Sequence, residues 1–169
     1  VYFPGIHTTA IDSTSKSHKA TASGTVTILD IVDYTNLIPG QLYTVVGTLM
    51  DKETNSVLLD KDGNPITVSM TFTPETANGS VEMNFAFDAT GLGGHTVVVF
   101  ERVYLGTDTT VQPVAVHEDI NDANQSVELV APPAAPKTGD TAAPMLVGML
   151  LLASASGFVV LMRIKRHTH

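Results

Sequence analysis

Apolar and polar residues alternate with a period of two in several separate stretches: Val68, Met70 and Phe72; Val81, Met83, Phe85 and Phe87; Val97, Val99 and Val103. A two-residue period sends successive side chains to opposite faces, so each stretch predicts a half-buried β-strand. Turn-forming residues separate the runs, at Pro39-Gly40, Asp62-Gly63-Asn64-Pro65, Asn78-Gly79 and Gly91-Leu92-Gly93-Gly94. No segment before Ala131 carries a helical period. Short strands at this spacing predict an all-β fold, an Ig-like antiparallel sandwich over residues 1–131, with no internal repeat.

The same parity puts polar groups where apolar ones belong. In Thr25 to Tyr34 the set Val26, Ile28, Val32 and Tyr34 has Asp30 in its middle, although Leu29 and Ile31 mark the opposite face as apolar too. Glu101 interrupts Val97, Val99 and Val103, and Gln125 shares a face with Val127 and Leu129. Three polar side chains from three strands are therefore expected to point into one core. Burying a carboxylate without a partner is costly and raises its pKa until it holds a proton. The bland alternatives are edge ion pairs of Asp30 or Glu101 with Arg102, Lys16 or Lys19, and a surface or satisfied core role for His117.

After Ala131 the pattern changes. The Pro/Ala-rich run Ala131 to Pro136 reads as an extended spacer, and Met145 to Met162 is an uncharged stretch of 18 residues followed by Arg163, Lys165 and Arg166. Such a stretch is just long enough to cross a bilayer core, with the basic flank on the cytoplasmic side. Between spacer and span lies Ala135-Pro136-Lys137-Thr138-Gly139, which resembles the Leu-Pro-x-Thr-Gly sorting signal of sortases, with Ala135 where that pattern has Leu. The resemblance implies cleavage between Thr138 and Gly139 and transfer of the Thr138 carbonyl to a peptidoglycan amine. The expected organisation is a sandwich over 1–131, a linker with the sorting motif over 132–144, a transmembrane helix over 145–162 and a basic cytoplasmic tail over 163–169. A secretory signal is expected upstream of Val1, and the location is extracellular, anchored to the cell wall.

Charge and composition narrow the functions. Up to Ala131 there are 16 Asp plus Glu against 5 Lys plus Arg, which leaves no basic footprint for nucleic acid. The chain has no cysteine, so an extracellular domain must hold together without disulfides. Donors cluster at His117-Glu118-Asp119 and Asn121-Asp122, but without calcium-loop or zinc spacing, so neither metal nor cofactor is expected. A turnover enzyme lacks support, because there is no nucleophile elbow, phosphate loop or Cys. A ligand-binding adhesin domain would use exposed loops such as Leu105 to Gln112, where neither an aromatic cluster nor a basic groove is visible.

Several motifs in order resemble one family: Ile6-x-Thr8-Thr9-Ala10; Asp30 followed by Tyr34-x-x-Leu37-x-Pro39-Gly40; Gly47-Thr48-Leu49-Met50-Asp51; Val98-Val99-Phe100-Glu101; and His117-Glu118-Asp119 through Gln125-Ser126. From about Gly5 to Val130 the chain is similar to the VaFE repeat, or T-Q ester bond, domain of Gram-positive surface adhesins. The resemblance implies an autocatalytic ester between a Thr near the first strand and a Gln at the start of the last. Carried over, these are Thr8, with Thr9 as the neighbouring alternative, and Gln125, with Asp30, Glu101 and His117 moving protons. It also implies a stalk role, with sortase and peptidoglycan as partners and any host surface ligand bound by upstream domains. A chemical alternative is an isopeptide between Lys16 or Lys19 and Asn121 or Asn124.

Overall fold

The computed structural model describes residues 3–135. Ten strands form two sheets: β1 (Gly5–Asp12), β2 (Lys19–Thr21), β3 (Thr25–Thr35), β4 (Tyr43–Asp51), β5 (Ser56–Val57), β6 (Thr67–Phe72), β7 (Gly79–Asp88), β8 (Thr96–Leu105), β9 (Ala115–His117) and β10 (Ser126–Val130). Strands β1, β3 and β7 make the smaller sheet in that order. The larger follows β2-β10-β8-β4-β5, with β6 also paired to β4 and β9 to β8. Among the described residues no helix is long and apolar enough to cross a membrane. Pro136-Lys137-Thr138-Gly139, the 145–162 span and the basic tail lie outside the described residues.

Strand parity decides which face of each sheet is dry. On β3 the buried set is Val26, Ile28, Asp30, Val32 and Tyr34, which settles the ambiguity left by Leu29 and Ile31. Strand β7 sends Met83, Phe85 and Phe87 into the same space, and β8 sends Val97, Val99, Glu101 and Val103 from the opposite sheet. The two inner faces interdigitate as sandwich cores do.

The pairing departs from the expected antiparallel pattern in one place. Strand β2 runs parallel to β10, with Lys19 opposite Glu128 and Thr21 opposite Val130. After β1 the chain turns at Asp12–Ser17 and delivers β2 to the other sheet instead of forming a hairpin on its own. Lys19 Nζ meets Glu128 Oε2 at 2.8 Å across this pair, on the surface.

One edge of β8 sets up the site. Its first residues pair with β10, Val97 opposite Val127, while its middle pairs with β9, Glu101 opposite His117. Between the two, the Val99 N–H donates to the Gln125 carbonyl at 3.0 Å. Two short strands thus lie end to end along one neighbour, with residues 118–124 looping out between them. That arrangement explains the eight-position interval between His117 and Gln125: both side chains return to the same edge, two β8 residues apart.

Gly47 makes room beneath this edge. It lies opposite Glu101 on β4, and a Cβ there would stand 2.5 Å from Phe85 Cζ and 2.8 Å from Met83 Cε. Gly47→Ala is expected to lower stability by about 1–3 kcal/mol through overpacking, read as a lower midpoint in thermal unfolding. An unchanged midpoint would show that the core has slack at this point.

Candidate functional site

Five buried or half-buried side chains converge where the two sheets face each other. Thr8 comes from β1, Asp30 from β3, Glu101 from β8, His117 from the end of β9, and Gln125 from the residue before β10. Thr8, Asp30, Glu101 and Gln125 are each 0% exposed. Thr9 points the other way and is half-exposed, so the structure places Thr8, not its neighbour, at the site.

The Thr8 hydroxyl lies between the His117 imidazole and the Glu101 carboxyl. Its Oγ1 is 3.0 Å from His117 Nδ1 and 3.3 Å from Glu101 Oε2. Gln125 meets the same glutamate: its Nε2 donates to Glu101 Oε2 at 2.8 Å, to the Val99 carbonyl at 2.8 Å and to the His117 carbonyl at 3.0 Å. A carboxamide nitrogen carries two protons, yet three acceptors surround it. Its Oε1 receives the Asp119 backbone N–H at 3.4 Å. One glutamate oxygen therefore touches both the hydroxyl and the amide, while the amide carbonyl faces a separate donor.

The carboxyl pair explains the electrostatics. Both oxygens of Asp30 and Oε1 of Glu101 are buried and face no ordinary donor. A proton held between the two carboxyls gives one oxygen of each a partner. Burial pushes the Asp30 carboxyl well above its ordinary value, and the hydrogen bond from Glu101 draws it partly back. Glu101 is pushed further still, first by burial and then by the Asp30 charge, with Gln125 and Thr8 opposing. The pair thus holds a proton at neutral pH, shared between two carboxyls that titrate together.

His117 moves in the other direction. Burial lowers its pKa, Asp122 opposes that, and His7 reinforces it, so the neutral imidazole is favoured. Its Nε2 lies 3.1 Å from Asp122 Oδ2, and the His7 ring lies 5.4 Å away centre to centre.

The edge ion pairs considered for the carboxyls do not form. Arg102 pairs with Glu118 at 2.6 Å and Lys19 with Glu128, while Lys16, Asn121 and Asn124 are exposed. Among the described residues two groups have donors close enough for a cation: His7, His117 and Asp122; and Asp51, Glu53 and His95. In the second, Asp51 is already engaged by Thr54 Oγ1 at 3.0 Å, the Glu53 N–H at 3.1 Å and His95 Nδ1 at 3.2 Å. Sequence reasoning missed the acceptor carbonyls of Val99 and His117 and the Asp119 N–H, because backbone groups leave no residue-type signal. It also gave no role to the contact of Asp122 with His117, which an acidic residue three positions before Gln125 could have flagged.

The raised carboxyl pKa values fix a sign. Above about pH 4 the unfolded chain releases protons that the folded pair retains, so this pair's contribution to stability declines as pH rises. Thr8→Ala, which cannot form an ester, is therefore expected to lose more urea resistance between about pH 5 and about pH 8 than the same variant with Asp30→Asn and Glu101→Gln. Equal pH slopes in the two proteins would remove the shared proton.

No protein of curated function matches the chain. Two crystal structures of a bacterial adhesin from Mobiluncus mulieris containing intramolecular disulfide, isopeptide and ester bond cross-links share the fold. Their TM-scores are 0.62 and 0.60 at 19% and 18% identity, covering 78% and 75% of this chain. This chain spans 58% and 56% of the length of those adhesin chains. Residues 4–129 match the family model of the T-Q ester bond containing domain, which covers both sheets but for Val130 and includes every residue of the cluster. The chain belongs to the T-Q ester bond containing domain family.

Proposed function

We propose that this chain is a stalk module of a Gram-positive cell-surface adhesin or pilin-like protein. It is an Ig-like sandwich closed by an autocatalytic ester between Thr8 and Gln125 and joined to peptidoglycan by sortase. The observation that carries the crosslink is the shared contact of Thr8 and Gln125 with Glu101 Oε2, beside His117 Nδ1.

The reaction follows from the positions of the acceptors and donors. His117 Nδ1 takes the hydroxyl proton as Thr8 Oγ1 bonds to the side-chain carbonyl carbon of Gln125. Negative charge then develops on Oε1, where the Asp119 N–H stands. The carbon–nitrogen bond breaks when the proton taken from Thr8 reaches Nε2, and ammonia leaves. A nitrogen gaining a third hydrogen meets a third acceptor already in place. Hydroxyl plus carboxamide become ester plus ammonia, with no other reagent. The fold supplies proximity, and the dry interior slows hydrolysis of the product. It is a single turnover, since the nucleophile is consumed.

The crosslink would tie the first strand to the last and close a loop from Thr8 to Gln125, almost the whole domain. By analogy with a disulfide closing a loop of about 100 residues, it contributes about 4–5 kcal/mol. A cysteine-free extracellular stalk gains resistance to tension and proteolysis this way. At the other end, the ordered spacer, Pro136-Lys137-Thr138-Gly139, apolar span and basic tail support sortase attachment outside the cell.

Two experiments test the proposal. The chain should be lighter than its sequence mass by one ammonia, and Thr8→Ala should restore that mass while Thr9→Ala should not; mass loss surviving in Thr8→Ala would remove Thr8 as nucleophile. Separately, Thr138→Ala should leave the protein in the membrane fraction, and wall-linked protein at normal levels in that variant would sink the sorting reading.

A further inference from the structure

The neutral imidazole of His117 has one proton and two nitrogens, and only one arrangement makes it a base toward Thr8. Nδ1 lies 3.0 Å from Thr8 Oγ1. For Nδ1 to accept the hydroxyl proton, its lone pair must face Thr8 and the ring proton must sit on Nε2. Nε2 lies 3.1 Å from Asp122 Oδ2. A carboxylate there accepts Nε2–H and disfavours the opposite tautomer, which would turn a lone pair toward a negative charge.

Asp122 is itself held. Its Oδ1 accepts the Asn124 N–H at 2.8 Å, which leaves Oδ2 for the histidine. Its N–H donates to the Asp119 carbonyl at 3.0 Å, and its own carbonyl accepts Ser126 Oγ at 2.6 Å. The turn that carries Asp122 therefore also carries the Asp119 N–H facing the Gln125 carbonyl, so one loop aligns base and electrophile.

We propose that Asp122 is a positioning residue for the crosslinking reaction, fixing the Nε2–H tautomer of His117 so that Nδ1 is presented to Thr8 as a base. The inference rests on the ester reading above. The other titratable groups around His117 do not replace Asp122. Glu101 Oε2 lies 3.9 Å from Nδ1, on the Thr8 side. The His7 ring lies beside that of His117, tilted by 42°, and disfavours its charged form, while Asp119 acts on it only as a nearby charge.

The geometry separates this role from a structural one. In Asp122→Asn the side-chain oxygen is retained by the Asn124 N–H, so the amide NH₂ takes the Oδ2 position and donates to Nε2. That traps His117 with its proton on Nδ1, facing Thr8, so the isosteric variant becomes the more harmful one. The full chain is made by cell-free translation and sampled by intact mass against time. Asp122→Ala is expected to slow ammonia loss about tenfold, and Asp122→Asn by about a hundredfold or more, the scale of general-base loss. Asp122→Glu should recover part of the rate. In a Thr8→Ala background, which stops the reaction, ¹⁵N-histidine spectra should show His117 protonated on Nε2, shifting to Nδ1 with Asp122→Asn.

Wild-type rates in Asp122→Asn, or an unchanged tautomer, would overturn the proposal. So would an order in which Ala is slower than Asn and rates simply follow thermal stability, since that marks a packing role. If the unsubstituted chain keeps its ammonia, the ester reading itself falls, and this inference with it.

Discussion

Two carboxyl groups meet inside a dry sandwich, one from each sheet, and neither has a cation beside it. Asp30 and Glu101 tolerate that place by sharing a proton, and the arrangement is expensive for a fold with no disulfide to lean on. An apolar pair of similar size would pack there without the electrostatic cost. What the carboxyls provide is chemical: Glu101, hydrogen-bonded to Asp30, accepts from Thr8 and Gln125 together through Oε2. A local conflict with good packing marks the place where this fold carries its function.

The topology turns that conflict into the proposed crosslink site. Strand β1 belongs to one sheet and Gln125 leads into β10, between β2 and β8 in the other, yet Ala10 N–H donates to the Asn124 carbonyl at 2.8 Å, so β1 already touches the segment that leads into β10. Pulling on the ends of an uncrosslinked domain would load this contact and the short β2–β10 pair first. A covalent link from Thr8 to Gln125 would carry the load past the hydrogen bonds. The interrupted edge of β8 is what allows it, because β10 and β9 share one neighbour and leave a gap where amide and imidazole turn inward.

Much of this was legible in the sequence for a simple reason: a two-residue period reports burial, and a polar residue breaking the period reports a buried polar group. Asp30, Glu101 and Gln125 were each visible in that way. Thr8 was visible more weakly, because β1 has a short apolar pattern and a threonine fits either face of a strand. The parallel β2–β10 pair was hidden, since three-residue strands have no period to read and direction depends on where the preceding turn delivers the chain. The Val99 and His117 carbonyls around Gln125 Nε2 and the Asp119 N–H were hidden as well, being main chain. Asp122 was visible only as one acid among several, and its contact with His117 depends on a turn conformation that alternation does not encode.

The most direct test of the account is to locate the bond. Tryptic digestion of the denatured chain should yield the peptide ending at Lys16 joined to the peptide beginning at Val103, with fragmentation placing the link between Thr8 and Gln125. Hydroxylamine should separate the two, as an ester requires and an amide resists. Finding both peptides only in free form at their full sequence mass, or a joined pair that hydroxylamine leaves intact, would contradict it.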